Sequence, residues 1–493
     1  VKTGAGTLTL NSANSYTGGT SVAAGKVALD ANTALGLGAA TFAKDTELSL
    51  GISKGVSVAN AIKTDGVITQ SNNFDSSLTG VISGTGSLVK EGTGLLSLTG
   101  ANSYSGGTQV AAGKVALDAN TALGLGAATF AKDTELSLGI SKGVSVANAI
   151  KTDGVITQSN NFDSSLTGVI SGTGSLVKEG TGLLSLTGAN SYSGGTQVAA
   201  GKVALDANTA LGLGAATFAK DTELSLGISK GVSIANAIQV DGMVSVSSNG
   251  FDSSLTGIVN GVGRLGKEGA GNLTLTGINT YEGGTQVDAG KLSISQDANL
   301  GKAGANIAIN NATLALTDSM TVSRTMSLMN SAMIDTTTGS SSSLAGIVNG
   351  AGQLVKEGAG SLTLTGINTY EGGTQVNNGT LAISQDANLG KAGTNIAINN
   401  ATLALTDSVD LTHSVSVANT ATIDIANFNS SLMSVVSGSG TLNKAGTGTL
   451  SLQGANTFNG ILDVQAGRIA INNANSLGAD TNSVMLANGT SLE

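Results

Sequence analysis

One phrase recurs through this chain at an almost constant interval, and that interval constrains the fold more than any other property of the sequence. The lysine that opens each "KxGxGxLxL" phrase stands at Lys2, Lys90, Lys178, Lys267, Lys356 and Lys444, at spacings of 88, 88, 89, 89 and 88 residues. Ala23–Val110 recurs unchanged as Ala111–Val198, and the third copy first departs at Ile234, where the earlier ones have Val58 and Val146. The copies from Lys267 and Lys356 resemble each other more than they resemble the first three. Fixed-period similarity marks stacked-repeat architectures, in which each unit buries its apolar side on the next. The units run about 2–89, 90–177, 178–266, 267–355 and 356–443, with a partial 444–493, and predict one continuous domain. Near-identity within one chain points to recent duplication, so the copy number is expected to vary among isolates. Both ends of the sequence fall inside a repeat, as in a fragment of something longer.

Inside each unit, apolar alternation comes in short bursts such as "LLSLTG" (95–100), "GKVALD" (113–118), "TELSLG" (134–139), "GVSVANAI" (143–150) and "SLTGVISG" (165–172). Period-two alternation over four to eight residues predicts half-buried strands. Glycine and asparagine clusters between the bursts supply positive-φ turns, and glycine falls too often for helices. An 88-residue unit is too long for a single coil. Division by four predicts coils of about 22 residues with three short strands each, an all-β parallel β-helix of roughly 22 coils. At about 4.8 Å per stacked strand, that is a single rod on the order of 100 Å long.

The composition agrees. There is no proline, which cannot donate to a sheet ladder and is tolerated only at edges. Charged residues make up 11% against 40% hydrophobic, the reverse of the balance that keeps a chain disordered. The net charge of −9 leaves no basic patch, so nucleic acid and anionic lipid are poor partners. The absence of cysteine removes disulfides, zinc-thiolate sites and cysteine catalysis together. It also suits a chain that crosses an oxidising compartment unfolded. No run approaches the roughly 18 apolar residues of a membrane helix, and no secretory signal opens the sequence.

The stretch "GTGSLVKEGTGLLSLTGANSYSGGTQVAAGKV", Gly84–Val115, resembles the passenger-associated repeat of bacterial autotransporters. Close versions follow Lys178, Lys267 and Lys356, while the version after Lys444 departs, with Phe458 for tyrosine and Ile461 for the second glycine. The resemblance implies a right-handed parallel β-helix exported to the surface of a Gram-negative cell through a C-terminal outer-membrane barrel. It also implies a role in adhesion: cell–cell aggregation, biofilm or host attachment. No barrel is present in this sequence, which lacks successive amphipathic strands with aromatic girdles.

Few residues invite chemistry. Tyr16, Tyr104, Tyr192, Tyr281 and Tyr370 occupy one slot, "N-x-Y", with Phe458 in the sixth copy. An exposed ladder of such rings, about four coils apart, would stack on sugars. The plainer reading is that each ring covers a turn and seals the core, and the phenylalanine favours it. His413, unrepeated, is expected on the surface of a strand, solvated. Asp118, Asp133, Glu135, Asp153 and Asp163 recur with the array as turn residues, whereas a glycosidase needs one facing pair of acids. "GTGSLVKEG" lacks the ending and helix of a phosphate loop, and Asp118 with Asn120 lacks the closing acid of a calcium loop. We therefore expect no enzyme activity, no catalytic residue, no cofactor and no metal.

The segment "SNNFDSS" is the best candidate for a self-association contact: Asn72, Asn73 and Asp75, repeated as Asn160, Asn161 and Asp163, with Phe74 and Phe162 expected in the core. The plainer reading of this loop is an ordinary solvated turn. The function expected from the resemblance is a non-enzymatic surface adhesin whose partner is a copy of itself on a neighbouring cell, or a host glycan or protein. The alternative is a passive stalk that presents a binding tip located elsewhere.

Overall fold

The computed structural model describes all of residues 1–493. It divides into two compact units, Val1–Val244 and Ser245–Glu493. Each is a parallel β-solenoid built from strands of two to six residues, with about 24 turns in the two together. The only helical segments are two single 3-10 turns in the second unit, Asp297–Leu300 and Asp386–Leu389.

The first unit has three faces. Face I is a nine-stranded sheet that starts at Thr7–Leu10 and ends at Ile170–Ser171. Face II carries the sheet that starts at Ser57–Val58. Face III carries a four-stranded sheet, Thr20–Val22 to Ile82–Ser83, and later the sheet that starts at Ser145–Val146. Strand sequences explain the packing. In Lys26–Leu29, Val27 and Leu29 point inward and are fully buried, while Lys26 faces outward beside Glu47 of the next coil at 2.9 Å. Each such buried Val or Leu contributes about 1.5–3 kcal/mol, and each stacks on leucines of the coils on either side, Val27 on Leu8 and Leu48 and Leu29 on Leu10 and Leu50.

The coil is shorter than division by four suggests. Thr7 stacks on Lys26, Thr108 on Ala128 and Ala128 on Ile150, so coils of this unit hold 19–22 residues, most often 20. In the second unit they run from 19, Ile307 on Met326, to 23, Arg468 on Ser491. Because the coil is nearer 20 than 22 residues, one 88-residue repeat runs through four coils and one further face. The equivalent strands Thr7–Leu10, Leu95–Leu98 and Leu183–Leu186 accordingly lie in three different sheets. In the second unit, Asn272–Leu275, Ser361–Leu364 and Thr449–Leu452 do the same. Every surface feature of the repeat is thus turned by one face at each recurrence.

Candidate functional site

Each repeat interrupts one face with two stacked turns, the first of which buries an asparagine and a tyrosine. In the repeat from Lys90 they are Thr99–Gly107 and Asp118–Ala127, both on face III between Ile82–Ser83 and Ser145–Val146. Asn102 knits three coils together: its Oδ1 accepts the Ile82 N–H at 2.8 Å and its Nδ2 donates to the Ala122 carbonyl at 2.7 Å. Tyr104 is fully buried, with its hydroxyl 2.6 Å from Thr108 Oγ1. Burial pushes that phenol well above its ordinary pKa. Gly124, at φ 71°, passes directly over the ring, where a Cβ would come within 2.5 Å of the Tyr104 carbonyl oxygen. The sealing role expected for this slot therefore holds for Tyr104, Tyr192, Tyr281, Tyr370 and Phe458, all buried; Tyr16, in the first coils, is partly exposed. No ladder of rings forms along one side, since consecutive slots lie on different faces.

A second slot, one coil further on, was not recognised in the sequence. Asn60, Asn148 and Asn236 are buried and donate to two carbonyls of the turn below, Asn148 to Gly124 at 3.0 Å and Gly126 at 2.7 Å. The same repeat position holds Arg324 and then His413. Arg324 donates to the carbonyls of Asp297, Leu300, Gly301, Lys302 and Ala305 and pairs through Nε with Asp297 Oδ1 at 3.0 Å. His413, expected to be solvated, is 1% exposed. Its Nδ1 lies 2.8 Å from Asp386 Oδ1, and its Nε2 is buried without a partner. The correction follows from the slot: residue 413 sits where the coil turns inward over the preceding turn, so whatever stands there is enclosed. Burial pushes the Asp386 carboxyl up, but hydrogen bonds from Thr412 and His413 outweigh it and hold the group below its ordinary value.

The repeat lysines are the third interior element. Lys90, Lys178, Lys267, Lys356 and Lys444 are fully buried, and each ammonium lies among backbone carbonyls. Lys267 Nζ donates to Glu268, Gly269 and Ala289 at 2.8, 2.7 and 3.0 Å. Burial pushes each of the five down to about 8. The signal was present in the sequence: in "SLVK" the lysine is in phase with the inward leucine.

The candidate contact loop is engaged within its own chain. Asn72 Nδ2 donates to Gly51 O at 2.7 Å, Asn73 Oδ1 accepts Thr93 N–H at 3.1 Å, and Asp75 Oδ1 accepts Leu95 N–H at 2.8 Å. Asn160, Asn161 and Asp163 repeat these bonds with Gly139, Thr181 and Leu183. These side chains line the outer surface while stapling one coil to its neighbours. Phe74 and Phe162, expected in the core, are instead 46% and 45% exposed. The loop rises away from the strand between Gln70 and Ser76, so alternation carries no information about which way its middle residue points. The recurring acids are similarly tied: Asp118 accepts from Ser141 and Asp153 from Thr173. No three His, Asp or Glu side chains converge to hold a metal.

The chain is a proline-free parallel solenoid whose repeats seal their own turns with an Asn-x-Tyr pair. The model of the passenger-associated-transport-repeat matches residues 1–29, 88–117, 176–205, 265–294, 354–383 and 442–471, once in every repeat. The adhesin BmaC autotransporter of Brucella suis biovar 1 is 38% identical over 231 residues, 41% of this chain and 7% of that protein. No solved structure matches. The chain thus carries six matches to this passenger repeat and is similar, over part of its length, to an autotransporter adhesin.

Proposed function

We propose that this chain is a passenger region, a non-enzymatic adhesin displayed at the bacterial surface, that works by homotypic association between copies on neighbouring cells. In this reading it is exported across the outer membrane through a barrel carried elsewhere in the same protein. The observation that carries it is the turn of the repeat by one face at each recurrence. Near-identical surface chemistry is thereby offered in three directions within the first unit, which multiplies weak contacts among many neighbours. The only histidine is enclosed with Asp386 and Thr412, a poor arrangement for attack on a substrate. The test is sedimentation velocity over a hundredfold concentration range, with clumping of beads coated in the chain. Association that rises with concentration supports the proposal. A chain that stays monomeric and leaves beads dispersed overturns it, and binding on a glycan array would then direct attention to a host receptor.

One observation favours a second reading, a passive stalk. The side chains best suited to polar contact, Asn72, Asn73 and Asp75, already satisfy backbone groups of their own coils. Deleting one 88-residue repeat distinguishes the two, because neighbouring copies are identical and the junction is unchanged. A stalk loses length only; a homotypic adhesin loses clumping as well.

A further inference from the structure

The first unit carries an apolar strip at one corner of each repeat that its fold does not require. Ala128 stacks on Ile150 and Ile150 on Ile170, all pointing inward. The residues just before them, Ala127, Ala149 and Val169, therefore form an outward column at the corner. Leu125 and Ala147 stand beside it, two residues back along the chain. Leu125 is 65% exposed and Val169 48%, and the three alanines are exposed as well. The strip recurs from Leu37 to Val81, where those two residues are 62% and 48% exposed, and begins again at Leu213, 65% exposed. Since each repeat turns by one face, the three strips lie at three different corners of the unit.

The second unit shows that the coil does not need this leucine. Lys302 and Lys391 occupy the same place, and their N–H groups donate to the carbonyls of Tyr281 and Tyr370 as that of Leu125 does to Tyr104. Each lysine pairs with a glutamate of the coil below, Glu282 at 2.9 Å and Glu371 at 3.5 Å. Asn306 and Thr325 stand where the first unit has alanines. The second unit keeps an exposed aliphatic residue at the Val169 position, Ile347 or Val435, but replaces the leucine and the alanines with charged and polar groups over the same backbone.

We propose that the leucine–alanine–valine strips are the surfaces through which a second copy of this chain docks, strip against strip. This rests on the homotypic reading above and names its contact. A strip exposes on the order of 300 Å² of apolar surface, the size at which patches on monomers begin to be functional. Two mated strips bury about 600 Å², half of what a stable complex needs at about 1,200 Å². A single contact is therefore transient, and useful binding requires a partner with the same strip repeated at other corners. A second copy meets that requirement: each chain engages several neighbours, one per corner, and forms a network instead of a closed dimer.

The test compares the full chain with a variant carrying Leu37→Lys, Leu125→Lys and Leu213→Lys, the residue the second unit places there. Clumping of densely coated beads is followed alongside sedimentation velocity, and circular dichroism and the melting temperature verify the fold. The expected result is unchanged melting and a clumping rate at least tenfold lower. If the wild-type chain clumps and the triple variant clumps equally, the strips are overturned while homotypic association stands. If the wild-type chain does not clump, both fall together.

Discussion

The two units solve one folding problem with different side chains. Both must satisfy the carbonyls of a tight turn that interrupts a face. The first unit does so with small neutral groups: Asn148 and Asn236 each donate twice, and Asp118 and Asp206 accept from the coil above. The second unit reshapes the turn into a 3-10 helix capped by Asn299 or Asn388 and covers it with Arg324 or His413. At the Asp118 position it has Ser295 or Ser384. What the repeat preserves is a buried polar side chain over the turn, while the number of bonds it makes varies, from two at Asn148 to six at Arg324 and one at His413.

The comparison breaks most visibly at the second slot. Arg324→Ala leaves the Asp297 carboxylate and five carbonyls without their donor, and we expect a local loss of about 3–5 kcal/mol, as for a broken buried ion pair. Asn236→Ala removes two neutral donations and should cost about 1–2 kcal/mol. Native-state hydrogen exchange over residues 295–306 and 206–215 reads the two losses separately. Equal losses would mean that the arginine's extra bonds add nothing.

The buried lysines sharpen the comparison at the next level. Lys267 has three carbonyl partners within 3.0 Å, whereas Lys90 reaches only Gly92 and Ala112. Lys267→Met should therefore cost about 2–3 kcal/mol and Lys90→Met less, measured by urea unfolding. The pH response should be common to both units. Burial lowers these ammonium groups to about 8, below the roughly 10.4 of an unfolded lysine. Between those values the unfolded chain holds protons that the folded chain has released, so stability rises as pH climbs from about 8 to about 10.4. Replacing the lysines with methionine should flatten that rise.

The smallest effect is acidic and is read most simply in the first unit. The Ser53 hydroxyl, followed by its N–H, holds the Asp30 carboxyl at about 2. Its contribution is complete above about pH 4, the unfolded value, and is lost as pH falls toward 2. Hydrogen exchange over residues 51–54, relative to the unprotected rate, should be faster at pH 2 than at pH 5. Asp30→Asn should abolish the difference.

Much of this was legible in sequence. Strand alternation placed Val27, Leu29 and their copies in the core, and the phenylalanine at 458 marked the aromatic slot as packing. The inward lysines were visible in the parity of "SLVK" but went unread, because a buried charge needs a known partner and its partners are backbone carbonyls. Phe74 was misplaced because alternation lapses in a loop. His413 was misplaced because its slot is defined by the coil beneath it and not by its own strand.

The sequence by itself determined that the chain is a stack of parallel coils, since the 88-residue period, the short alternating strands and the lack of proline admit little else. Only the tertiary structure decided where each coil closes. A repeat length states how often residues recur, whereas the coil length follows from the register in which Ala128 meets Ile150. The mismatch between the two turns each copy to a new face, and so decides which directions Leu37, Leu125 and Leu213 look.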